Sequence, residues 1–182
     1  MLSGPFEVQD SVTLGEIIHS LRVASWRSVG VLPEAGFAAG VCGDEHEAHS
    51  LHWAVKDDDR VVAAARLCVH GELSELPDSG FYEGLGFPVP APIAVLSRLV
   101  VHPDYQRRGI SKKLDSVRVA AAKALGCSSV IGTASPPRVR PLEDQGFRAV
   151  SPANLTAAPD WLKAAMGRGQ FERTVMVLLI NA

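Results

Sequence analysis

Residues 101–113 read VHPDYQRRGISKK, and this run sets the layout of the chain: a strand that stops at proline, a tight cationic turn, and the start of a helix. Upstream, Ile93–Val101 is apolar and rich in β-branched residues apart from Ser97 and Arg98, a composition that suits a largely buried strand. Pro103 cannot continue a strand, so the chain turns there. Gly109 can adopt backbone angles closed to other residues, which lets the amides from Gln106 to Ser111 converge on one point at the mouth of the next helix. Downstream, Leu114, Val117, Ala121, Ala124 and Leu125 recur at helical spacing, with Ser111 as the expected N-cap and Gly126 as the stop.

Such a turn suits an anion. A helix N-terminus carries about half a positive charge, and Arg107, Arg108, Lys112 and Lys113 cluster there in a chain whose net charge is only -2. The competing reading is an ordinary solvated first turn, but cations at that end of a helix oppose the macrodipole unless an anion is nearby. Converging amides and local positive charge together fit a phosphate or diphosphate.

Gln106, Gly109 and the residues after them resemble the Q/R-x-x-G-x-G/A acyl-coenzyme A (acyl-CoA) loop of the GNAT acyltransferase superfamily, with Ser111 in place of the usual Gly or Ala. A strand at 128–134, a short helix near 137–145 and Gly146-Phe147 resemble the second half of that fold, and residues 60–69 followed by 93–101 resemble its central antiparallel strands. The resemblance covers most of residues 51–150 and implies an α/β (α+β) architecture. That architecture is a mixed, mostly antiparallel sheet of about six or seven strands flanked by helices, as a single domain over 1–182. It implies acetyl-CoA or another acyl-CoA as co-substrate, held by backbone groups of Leu99, Val100 and Val101 and by Gln106, Arg107, Arg108, Gly109, Ile110 and Ser111. It implies direct transfer, with no metal and no covalent intermediate, to the amine of a small-molecule or amino-acid-like acceptor. A splay after the central strand and pairing into a homodimer are further implications.

An alkylamine with pKa about 10.4 is almost wholly protonated at neutral pH, so some group must accept its proton. The central strand offers no carboxylate, which leaves His70, Glu72 and His102 as candidate bases. Many members of the superfamily carry a tyrosine four residues before the Gly of Gly-Phe, where it protonates the departing thiolate. Leu142 stands there in this chain, and Ser135 stands where asparagine is common. Tyr82, in the Gly- and Pro-rich stretch 71–92, either shapes the acceptor pocket or supplies a proton as a catalytic candidate, or else packs with Phe81 over the core.

Arg22, Trp26, Asp44, Arg66 and Ser97-Arg98 resemble, more loosely, the order of motifs in acyl-homoserine-lactone synthases and long-chain N-acyl amino acid synthases of the same fold. Arg66 and Arg98 on adjacent strands suit bidentate binding of an acceptor carboxylate, or else a structural salt bridge to Asp44 or Glu45. His46, His49 and His52 lack the HExxH spacing, so no metal site is expected. Three functions compete: a GNAT acyltransferase for small amines, a longer-chain synthase, and a catalytically silent CoA-binding module.

Composition narrows the rest. A chain of 182 residues with 47% hydrophobic and 21% charged residues suits one domain with a sizeable core and argues against disorder. The longest apolar run, residues 175–180, is too short to cross a bilayer, and the first residues lack a signal-peptide pattern, so a cytoplasmic location without membrane contact is expected. Cys42, Cys68 and Cys127 suggest neither a disulfide framework nor a zinc motif. A pI near 6.3 and one compact basic cluster give no reason to expect nucleic acid. Elsewhere the pattern predicts an edge strand over 6–12, a helix over 13–29, a loop or irregular helix over 30–43 and a hairpin from 51–56 to 60–69. A short helix over 160–166 and a terminal strand over 173–180 complete it.

Overall fold

The computed structural model describes residues 2–7, 11–28, 44–154, 156 and 172–180. The 30–43 segment with Cys42 and the helix expected over 160–166 lie outside them. The core of the sheet is the pair β3 (Arg60–His70) and β4 (Ile93–Val101), which run antiparallel. Residues 61–68 of β3 are buried without a break, because helices cover both faces of this strand.

Around this pair the chain adds β1 (Leu2–Glu7), α1 (Ser11–Ser28), β2 (Leu51–Asp57), α2 (Ile110–Ala124), β5 (Ser129–Ala134), α3 (Pro136–Glu143), β6 (Arg148–Pro152) and β7 (Thr174–Leu179). The seven strands lie in the order β1-β2-β3-β4-β5-β7-β6. Among the described strands only β4 and β5 pair in parallel, and α2 is the crossover between them. The result is the mixed, mostly antiparallel sheet expected. Ile18 and Leu21 of α1 pack on Ala54, Val61, Ala64 and Val100 on one face. On the other face, Leu114 and Ala122 of α2 and Leu142 of α3 pack with Trp53, Ala63, Ala65, Leu67 and Met176.

Beyond shifts of one or two residues at element ends, three features differ from the sequence reading. β1 spans Leu2–Glu7 rather than 6–12, because an edge strand tolerates Gly4 and Pro5 where the register on β2 shifts. β6 has no apolar alternation and is mostly exposed, so nothing in its pattern announces a strand. Ser111 is not the N-cap of α2. Gly109 holds that position at φ 74°, and its carbonyl already accepts from the Lys113 amide at 3.2 Å, which starts the helix two residues earlier.

The sheet opens at one point. β4 and β5 stay paired from Ile93↔Ser129 to Leu96↔Gly132 and then part. β4 continues against β3 to Val101, while β5 continues against β7 to Ala134. An extra residue enters β4 between Ser97 and Val100, and Arg98 there takes a left-handed φ of 52°, the geometry of a β-bulge. A bulge bends its strand, which turns the lower half of β4 away from β5.

Candidate active site

The turn after β4 begins with one helical turn of 3-10 type, Pro103–Tyr105, whose first carbonyl accepts from the Gln106 amide at 3.2 Å. Gln106 therefore spends its amide on the protein and drops out of the anion cup read from the sequence, although its side chain lines the cavity described below. Arg107 and Gly109 both sit at left-handed φ, 61° and 74°. Among the described residues no main-chain carbonyl accepts from the amides of Arg107, Arg108, Gly109, Ile110, Ser111 or Lys112. Residues 106–109 are exposed, and the Arg108 guanidinium lies 4.9 Å over the Tyr105 ring, itself anchored by a 2.8 Å hydrogen bond from its hydroxyl to Asp57.

Where β4 and β5 part, a cavity of about 330 Å³ passes through the sheet. Leu99, Val100 and Val101 form one wall, and beyond Leu96 the β5-side edge of β4 carries no strand among the described residues. Trp26, Asp78, Tyr82 and Arg98 line it from the α1 side, and Asp115, Arg118, Arg138 and Leu142 from the α2 and α3 side. Gly132 closes its apex: a Cβ there would stand 2.9 Å from the Leu96 carbonyl oxygen.

Of the proton-transfer candidates, only Tyr82 reaches this cavity. It is 5% exposed and packs with Phe81, and burial, then the Asp78 charge, push its phenol well above the ordinary value, so it stays protonated. His70 ends β3 with its ring 5.2 Å from that of His46, outside the cavity lining. Burial and then His46 lower its pKa, which keeps it neutral. Glu72 is exposed and forms a capping box with the Leu73–Glu75 turn, so its carboxylate serves local structure. His102 caps the Pro103–Tyr105 turn, accepting from the Asp104 amide, and contacts Arg60 at 2.8 Å.

Arg66 and Arg98 divide. Arg66 is fully buried and bound at both ends of its fork to Asp44, at 2.5 and 2.9 Å, as well as to Glu47 at 2.8 Å and Ser97 at 2.9 Å. The acceptor role read for it from the sequence is taken by the protein's own carboxylates. Arg98 donates to Asp44 at 2.7 Å and lies 3.7 Å from Asp78, yet it lines the cavity and its Nε is buried with no hydrogen-bond partner among the described residues. Arg22 joins the cluster through Glu47 at 2.8 Å. Burial alone would raise the Asp44 carboxyl, but the hydrogen bonds and charges of Arg66 and Arg98 hold it well below the ordinary carboxylate range. His52, beside Glu47 at 3.5 Å, is buried and its pKa is lowered mainly for that reason; among the described residues no cluster of His, Cys, Asp or Glu forms a metal site.

Sequence reasoning missed Glu47, Asp115, Arg118 and Arg138. Asp115 and Arg118 form a 2.6 Å pair at 1% exposure on the inward face of α2, and Arg138 of α3 contacts the other oxygen of Asp115 at 2.6 Å. Burial pulls the Arg118 guanidinium down to about 10, against the pull of Asp115, so it remains charged at neutral pH. The signal was present: Asp115 and Arg118 fall among the apolar positions of α2 that face the core, where a charge needs a partner.

No helix among the described residues is long and apolar enough to cross a membrane. No curated protein sequence matches the chain. Solved structures share its fold at low identity. The ribosomal-protein-S18-alanine N-acetyltransferase from Escherichia coli aligns with a TM-score of 0.59 at 13% identity, covering 100% of this chain and 96% of that one. FeeM, an N-acyl amino acid synthase from uncultured soil microbes, aligns with a TM-score of 0.64 at 10% identity over 96% and 91%. The loading GNATL domain of CurA from Lyngbya majuscula gives 0.66 at 10% over 98% of each chain. The model of the Acetyltransferase (GNAT) family matches residues 16–147. The chain therefore belongs to the GNAT acetyltransferase family, whose members transfer acyl groups from CoA.

Proposed function

We propose that the protein transfers an acetyl or other acyl group from acyl-CoA to the amine of a small molecule or amino-acid-like acceptor. The observation that carries this reading is the cavity through the open β4/β5 seam, with a turn of free amides at the end of β4. The amides of residues 107–111 and the charges of Arg107 and Arg108 would hold the diphosphate. The pantetheine arm would lie along Leu99–Val101 in the place of the missing strand neighbour, which brings the thioester to the bulge. The acceptor would enter from the α1 side, between Trp26, Tyr82 and Arg98. The solved structure of a predicted acetyltransferase with acetyl-CoA, from Clostridium acetobutylicum, shares the fold at a TM-score of 0.60 and 13% identity, which is consistent with this reading.

With no carboxylate or histidine base in the cavity lining among the described residues apart from the ion-paired Asp78 and Asp115, positioning of amine and thioester is the main source of rate. A second reading, a longer-chain N-acyl amino acid synthase, is favoured by one observation. Arg22, Asp44, Arg66 and Arg98, the residues of the looser sequence resemblance, meet in one charge cluster beside a cavity with Leu142, Phe147 and Met176 in its wall. Release of CoA from acetyl- and longer acyl-CoAs over a panel of amines and amino acids separates the readings. Turnover with acetyl-CoA supports the first and turnover confined to long chains the second. Tight CoA binding with no release from any pair would leave only a silent binding module.

A further inference from the structure

Arg138 and Leu142 lie four residues apart on α3, so they share one face of the helix, and both line the cavity. The Arg138 guanidinium is pinned at Nη2 by Asp115, while its Nη1 is buried with no hydrogen-bond partner among the described residues. Buried donors of this kind are rare in folded proteins unless something else completes them.

The pinning group is itself fixed to the place where the sheet opens. Asp115 accepts from Arg118 at 2.6 Å, and Arg118 Nη1 donates to the carbonyl oxygens of Arg66 at 3.0 Å and Ser97 at 3.3 Å. Those two residues are the last paired positions of β3 and β4 before the bulge. Arg138 is thereby registered, through two buried side chains, to the point at which the thioester would lie. Two guanidiniums share one carboxylate, which leaves one positive charge at a wall that also holds Leu142, Phe147 and Met176 and the hydroxyl residues Thr133 and Ser135. Of the other charged residues of the cavity, Asp78 and Arg98 lie 3.7 Å from each other on the opposite side, with Arg98 over the Trp26 ring, and Arg173 stands just before β7.

The proposed reaction makes a negative charge in this space. The amine nitrogen attacks the thioester carbonyl carbon, and the tetrahedral adduct collapses as the C–S bond breaks. The bonding pair leaves on sulfur as thiolate while the surplus amine proton passes to water. The products are the amide and a CoA thiolate, which later takes a proton from solvent. Leu142 has no proton to give. Resting on the acyl-CoA reading above, we propose that Arg138 receives the departing CoA thiolate, stabilising it by charge and a hydrogen bond rather than by proton transfer. A cation beside a thiol favours its ionised form.

The test follows the thiol of bound CoA by the ultraviolet absorbance of the thiolate as pH is varied, in the wild type, Arg138→Gln and Arg138→Lys. Desulfo-CoA serves as baseline and as binding control. The free thiol has a pKa of about 8.5, and the bound thiol in the wild type is expected to ionise at least about tenfold more readily. Arg138→Gln abolishes that gain, Arg138→Lys keeps part of it, and both bind desulfo-CoA like the wild type. Arg138→Met, which leaves the buried Asp115–Arg118 pair intact, carries the same expectation should Arg138→Gln fold poorly. A gain that survives Arg138→Gln, or no gain in a wild type that binds CoA, overturns the proposal. Equal loss of CoA and desulfo-CoA in Arg138→Gln assigns the residue to the pantetheine arm and overturns it too. A wild type that binds neither ligand refutes the CoA reading itself, which is a separate outcome.

Discussion

Arg66 and Arg138 show how differently two guanidiniums can be used. Arg66 has its fork filled by Asp44 and further bonds to Glu47 and Ser97, so it fixes the protein rather than a ligand. Removing one partner of such a cluster strands the others: Arg66→Met is expected to cost about 3 kcal/mol in urea unfolding, against well under 1 for the exposed pair Arg140–Asp144. The same cluster sets an acid limit. Asp44 titrates below its ordinary range when folded, whereas in the unfolded chain it titrates near 3.9. Its stabilisation is complete above that unfolded value. As pH falls below about 4 the unfolded chain binds the proton first and stability declines until the folded carboxyl also titrates. Unfolding free energies measured down the acid limb should fall steeply in the wild type and less steeply in Asp44→Asn; parallel limbs would show that Asp44 does not set the limit.

At the level of elements, the opening between β4 and β5 decides everything around it. The strands that bound it were legible in the sequence, because 93–101 and 128–134 are apolar runs closed by Pro103 and followed by a helix over Pro136–Glu143. Also legible was the turn, since Gly109 at φ 74° is the residue such a conformation requires. What stayed hidden depends on contacts across the fold. Nothing local in Ser97-Arg98-Leu99 marks Arg98 as a bulge residue. The salt bridges of Arg66 and Arg98 to Asp44 were one of two readings the sequence offered, but nothing in the spacing says that Glu47 and Arg22 join them. The candidates His70 and Glu72 lie outside the cavity for a similar reason, since a strand end and a capping turn hold them, whereas Tyr82 lines it. Gly132 marks the apex of the opening. Gly132→Ala puts a methyl group 2.9 Å from a carbonyl oxygen, so the strands must shift, at an expected cost of about 1–3 kcal/mol in thermal or denaturant unfolding. An unchanged stability would mean that the apex is looser than its geometry.

The molecule as a whole is nearly neutral, yet its charges are sorted by place. Four cations surround the turn before and within the first turn of α2, four arginines line the cavity, and the acids that meet them are Asp78 and Asp115 within it and Asp44 behind Arg98. An anionic donor bound at the turn with its reacting end in the cavity is the ligand that this distribution fits. Isothermal calorimetry of CoA with the wild type and with Gly109→Val tests this most directly. A β-branched residue resists φ 74° and narrows access to the amides, so the account predicts heat and a measurable Kd in the wild type and at least about tenfold weaker binding in the variant. Binding that is equally tight in a folded Gly109→Val protein, or no heat in the wild type at all, would contradict it.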